Sequence, residues 1–146
     1  MDYTFGESMF DKAKVYASTV NDLYNRGILD ASTIVLSQLA IECYLCSIIE
    51  AATGKDVDTV YGKGRVPHNL DILYSDAHSY SERGFSFDRG LKNELKSAFL
   101  DYKALRFPKP GQYVVVDEEA IKADVSLIDD MKEIAEEYLQ KNEKIL

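Results

Sequence analysis

Residues 33–53, TIVLSQLAIECYLCSIIEAAT, are apolar on nearly every side of any helix they form. Ile34, Val35, Leu36, Leu39, Ala40, Ile41, Cys43, Tyr44, Leu45, Cys46, Ile48, Ile49, Ala51 and Ala52 leave only Ser37, Gln38, Glu42, Ser47 and Glu50 as interruptions. A helix that is hydrophobic all round must be surrounded, by other helices of its own chain or by a second subunit. Wholly helical, it would span about 30 Å, which is also the thickness of a bilayer core. Gln38, Glu42 and Glu50 would each be costly in lipid, so the expectation is a core helix and no membrane span. Asp30 or Ser32 can cap its start, and Gly54 is placed to stop it in the left-handed conformation.

The rest of the chain supplies amphipathic partners for that helix. About Gly6 to Arg26 carries Met9, Ala13, Tyr16, Val20 and Leu23 as one stripe, ended by Gly27. The short link that follows predicts two antiparallel neighbours. Lys55 to Pro67 has two glycines and no period, so it reads as a loop with room for one short turn. After Pro67, the residues Leu70, Leu73, Ala77 and Tyr80 share a face of a short helix, which breaks around Gly84.

Asp88 can cap a further helix from about Arg89 to Arg106, with Leu91, Leu95, Ala98, Phe99, Tyr102 and Leu105 inward. Phe107-Pro108-Lys109-Pro110-Gly111 cannot continue it. Val114-Val115-Val116 is β-branched, but a lone strand has no partner, so an extended loop is expected. Asp117 caps a last helix with Glu118 and Glu119 in its first turn. Its stripe is Ile121, Val125, Ile128, Met131 or Ala135, and Tyr138, and its end, LQKNEKIL, is expected to fray. The fold class is therefore all-α: one domain, residues 1–146, an antiparallel bundle of about five helices around a very apolar one.

Seventeen basic and 25 acidic residues give a net charge of −8, which disfavours broad nucleic-acid binding. The opening MDYTFGESMF lacks a basic region followed by an apolar core, so no secretion signal is expected. Two cysteines suit a reducing, cytoplasmic setting without a disulfide framework. Charge is uneven. Residues 83–109 carry a net +4, including Arg89, Lys92, Lys96 and Lys103 in a tight stripe; residues 117–146 carry a net −6. Such a stripe reads either as a solvated face or as a surface that steers a partner.

Few residues suggest chemistry. Cys43 and Cys46 have C-x-x-C spacing, but they lie within an apolar run and lack two further ligands, so core packing is expected and no metal. Gly62-Lys63-Gly64-Arg65 lacks the full phosphate-loop spacing and reads as a mobile loop. His68 stands at a helix start; as a catalyst it would need a partner that the sequence does not identify. Arg106 leans toward the inner face and Glu42 interrupts the central helix. Buried charges need partners, so the two are expected to pair, unless Arg106 binds a phosphate instead. No catalytic residue and no cofactor is assigned.

Three segments together resemble the HEPN family of small helical-bundle proteins. They are NRGILDASTIVLSQLAIECYLCSIIEAATGK; His68-Asn69-Leu70, close to that family's His-Asp-Leu; and Tyr102-Lys103-Ala104-Leu105-Arg106-Phe107-Pro108, close to Tyr-x-x-x-Arg-Tyr-Pro. The likeness covers roughly residues 5–140 and implies a HEPN-like bundle, homodimerisation, and work in prokaryotic conflict or regulatory systems. It also implies a protein partner such as a nucleotidyltransferase. Ribonucleases of the family use an Arg followed four to six residues later by a His. Here Arg65 is too near His68 and too far from His78, and no His follows Arg106.

The expectation is thus a non-catalytic, cytoplasmic interaction module, a homodimer, of toxin–antitoxin or defence type. The alternative is a nucleotide- or RNA-binding protein, a divergent nuclease, with Arg65, His68 and Arg106 in one cleft. A third reading is a mobile-element accessory protein with no ligand. Proximity of those three residues favours the second reading; dispersal favours the first.

Overall fold

The structure is a computed structural model and describes residues 5–81, 90–107, 110–111, 116 and 118–143, without the side chains of 141–143. The expected caps Asp88 and Asp117, the break around Gly84, Arg89 and the run 114–115 lie outside the described residues.

Among the described residues the structure is all helical: α1 (Glu7–Asn25), α2 (Ala31–Thr53), α3 (Val57–Tyr61), α4 (Leu70–Tyr80), α5 (Lys92–Arg106) and α6 (Glu118–Glu143). The sixth helix, beyond the five expected, is α3. It occupies the Lys55–Pro67 loop, where the Asp56 carboxylate caps Thr59 N at 2.8 Å. α5 begins at Lys92, three residues later than expected, with Leu91 as its cap.

α2 is the hub and touches every other helix. Asp30 caps it by accepting from Ser32 N at 3.0 Å, and Gly54 stops it at φ 67°. Ile41, Tyr44, Leu45, Ile48 and Ile49 are wholly enclosed. By length and hydropathy α2 could cross a membrane, yet its own chain surrounds it. Most of α2 is buried within one chain, with Val35, Leu36 and Leu39 half covered.

Most of its buried polar side chains are satisfied locally or by a neighbour; Gln38 Oε1 and Tyr44 Oη are enclosed without a hydrogen-bond partner among the described residues. Ser37 Oγ donates to Thr33 O and Ser47 Oγ to Tyr44 O, which removes the penalty of burying the hydroxyls. Glu50 reaches across and accepts from Val57 N at 3.0 Å, filling one of the orphan donors at the start of α3. Burial raises the Glu50 carboxyl above its ordinary range, and that N–H opposes the rise.

α1 buries Ala13, Ala17 and Val20, while Met9, Tyr16 and Leu23 are only half covered. Two alanines on the contact face let α1 lie close along α2. At the start of α1, Gly6 has φ 95°, and a Cβ there would stand 2.4 Å from Ser47 O. On α4 the face is Leu70, Leu73, Tyr74 and Ala77; Tyr80, expected inward, ends the helix beyond its neighbours and is exposed. α6 buries both Met131 and Ala135 together with Leu127 and Ile134, so its apolar face is wider than the stripe read from sequence.

Asp124 of α6 is also buried, in a groove against α5 lined by Glu94, Asp101 and Asp130. Burial first, then the Asp101 charge, push its carboxyl from the ordinary 3.8 up to about 7. Between those two values the folded chain binds the proton and the unfolded chain does not. Stability from this group is therefore fully present below about pH 4, falls as pH rises to about 7, and stays low above. Asp124→Asn should raise stability at pH 8 by about 1–3 kcal/mol and flatten that decline, read by urea unfolding between pH 4 and 8. Gly6→Ala should lower stability by about 1–3 kcal/mol, because both its dihedral and the Ser47 carbonyl oppose a Cβ; the same titration measures it.

Candidate functional site

The loop after α3 is fixed before it reaches the site. Glu50 holds the start of α3, and Tyr61 Oη at its end donates to Asp76 Oδ2 of α4 at 2.6 Å. Arg65 N then donates to Gly62 O at 3.0 Å, folding residues 62–65 into a defined turn. Pro67 carries the chain to His68 and Asn69, where α4 starts.

α2 grips this loop through two residues one helical turn apart. Gln38 Nε2 donates to the His68 carbonyl at 2.7 Å and to Glu42 Oε1 at 3.0 Å. Glu42 Oε1 also lies 3.0 Å from His68 Nδ1. The carboxylate is 13 % exposed and the imidazole 70 %, so a mostly buried acid orients a ring that faces outward. Burial raises the Glu42 carboxyl; the Gln38 hydrogen bond, His68 and the charge of Arg106 oppose the rise.

Opposite the loop stands the C-terminal half of α5. Arg106 Nη1 donates to Tyr102 Oη at 2.6 Å. Its guanidinium carbon lies 5.9 Å from the Tyr102 ring centroid and 5.6 Å from that of Phe107, so two aromatic rings flank the cation. Loop and helix enclose a cleft of about 440 Å³ lined by Arg65, His68 and Asn69 on one side and Phe99, Tyr102, Lys103, Arg106 and Phe107 on the other.

Arg65, His68 and Arg106 are thus together in one cleft. The expected Glu42–Arg106 ion pair is not formed. Glu42 is taken by Gln38 and His68, and Arg106, at the last turn of α5, is exposed and bound to Tyr102. Arg106 acts on Glu42 only at a distance. Of the basic stripe, Lys103 faces the cleft while Lys92 and Lys96 are exposed farther along α5. Cys43 and Cys46 are buried in α2; burial pushes the Cys43 thiol up to about 11 and Cys46 higher still, so both are inert packing. No metal-holding group of His, Cys, Asp and Glu occurs among the described residues.

Gln38, Tyr102 and Lys103 were not read from the sequence as members of this site. Gln38 and Glu42 did carry a signal: two polar residues at i and i+4 in an apolar helix must meet one neighbour. The fixed loop and the flanked guanidinium form a preorganised, cationic, partly aromatic cleft, suited to an anion attached to a flat ring. A second groove of about 460 Å³, between α1 and α6, interleaves Glu7, Asp11 and Glu136 with Lys14 and Lys132 and concentrates no charge.

Comparison with protein-family models, curated proteins and solved structures finds no match for this chain.

Gln38→Ala removes both of its hydrogen bonds and leaves Glu42 buried with one donor fewer. It should cost about 1–3 kcal/mol in urea unfolding and speed amide exchange in residues 66–70.

Proposed function

We propose that this chain is a HEPN-like, non-catalytic helical module that binds a nucleotide or RNA in the cleft between the 62–69 loop and α5. One observation carries the reading: Arg65 and His68 line the same cleft as Arg106, which lies far from them in sequence. Lys103 adds a third unambiguous cation, and Phe107 adds an exposed aromatic ring, while Tyr102 is buried and holds Arg106 through its hydroxyl. Guanidinium forks pair with phosphate oxygens, and exposed aromatic rings stack on bases. The missing Arg-to-His spacing leaves the binding function without the ribonuclease chemistry of the family it resembles.

A second reading is supported by the outer face of α5. Lys92 and Lys96 are exposed there, and Leu100 beside them is 52 % exposed. An apolar residue among same-sign charges suits an acidic protein partner, and a nucleotidyltransferase is the partner that the HEPN resemblance implies. A toxin–antitoxin or defence role in the cytoplasm follows from that same resemblance.

Isothermal titration with AMP, ATP and a short single-stranded RNA tests the first reading. Binding is expected for at least one of them, with Arg65→Ala and Arg106→Ala each weakening it by about tenfold or more. Lys92→Ala, outside the cleft, should change it less than about twofold. No binding of any of the three at millimolar concentration would sink the cleft reading.

A further inference from the structure

α2 holds His68 at two points. The ring Nδ1 lies 3.0 Å from Glu42 Oε1, and the backbone carbonyl accepts from Gln38 Nε2. Because Gln38 also donates to Glu42, the acid, the amide and the imidazole form one fixed unit. Against an ionised Glu42, Nδ1 is the nitrogen that carries hydrogen. Nε2 is then the ring's other nitrogen, on an exposed imidazole that lines the cleft. In a neutral ring it offers a lone pair; it offers an N–H only after gaining a proton. An anion beside it needs the second form.

The groups facing His68 are few, and most are cations. Arg65 comes from its own loop; Tyr102, Lys103 and Arg106 come from α5; Glu42 stands behind from α2. Tyr102 Oη accepts from Arg106, so its own hydrogen remains to be donated. α4, which starts after Asn69 at the cleft, carries Asp71, Asp76 and His78, none of which lines the cleft, and Asp76 is taken by Tyr61. Across the chain the net charge is −8. Positive charge gathered at one point of an acidic molecule suits a group that bears two charges itself. A terminal phosphate does; a nucleic-acid strand spreads single charges along its length.

We propose that, within the nucleotide-binding reading above, the cleft recognises a terminal phosphate monoester and His68 Nε2 takes up a proton as the phosphate enters. Glu42 and Gln38 are positioning residues: they fix the ring and leave Nε2 for the ligand. The proton comes from solvent, and no covalent bond changes. Burial of Glu42 works in the same direction, because a charged imidazole stabilises the ionised carboxylate behind it.

The test is calorimetry at pH 7.5 in buffers of different ionisation enthalpy. The ligands are AMP, adenosine, a 5′-phosphorylated hexaribonucleotide and the same hexamer ending in a 5′-hydroxyl. AMP or the phosphorylated hexamer should bind at least about tenfold more tightly than its counterpart without the terminal phosphate. Binding should take up as much as about one proton per ligand. A phosphate closing on cations sheds its own residual proton, so the sign separates the protein's contribution from the ligand's. His68→Gln, at an exposed position, should abolish the uptake and weaken binding about tenfold. Glu42→Gln should reduce the uptake while urea unfolding shows the chain still folded.

Preference for AMP names a free nucleotide as the source of the phosphate; preference for the phosphorylated hexamer names a chain end. Equal binding of the hydroxyl-ended hexamer overturns the terminal-phosphate proposal and leaves the RNA-binding reading standing. Phosphate-dependent binding without proton uptake overturns the role given to His68. No binding by any ligand overturns both proposals.

Discussion

The burial of α2 is the constraint on which the rest depends. A helix with almost no polar face must be wrapped on all sides, and here every other helix contributes to the wrapping. The same burial dictates what happens to the few polar residues it carries. Serines can turn back on their own helix, but a buried glutamate or glutamine must be met from outside. Glu50 is met by the start of α3, and Gln38 with Glu42 is met by His68. The polar interruptions of the core helix are therefore the points at which it grips the loop between α3 and α4, and that loop is one wall of the cleft.

Fold class was legible because it follows from pattern alone. The central helix, its Asp30 cap and its Gly54 stop lie where periodicity and cap chemistry place them. What escaped was decided by neighbours. α3 is five residues long, too short for periodicity to register, and it owes its existence to caps from Asp56 and Glu50. Likewise the wide apolar face of α6 reflects two packed partners, α1 and α2, where a single stripe suggests one.

The cleft was half legible. Arg65, His68 and Arg106 stand out as rare residue types at element ends, and they do converge. Which charges pair was not legible, because pairing is a question of reach. Glu42 and Arg106 look like complementary buried charges in a one-dimensional reading. In three dimensions the loop delivers His68 to the carboxylate first, within 3.0 Å, and Arg106 finds a phenol instead. Arg106 is thereby left with free N–H groups at the surface, which an ion pair with Glu42 would have consumed.

α5 stands between two opposed electrostatic settings, and consecutive residues serve them. Asp101 faces the groove with the buried Asp124, where carboxylates repel; Tyr102 faces the cleft, where cations gather. Repulsion on one side disfavours tight closure of α5 on α6, and those two helices are in only slight contact. On the other side the cations of the cleft repel one another. Neither setting stabilises the empty chain, and both lie along the same helix. α5 is therefore held from the α2 and α4 side, through Leu95, Phe99 and Tyr102, more than from the side of α6.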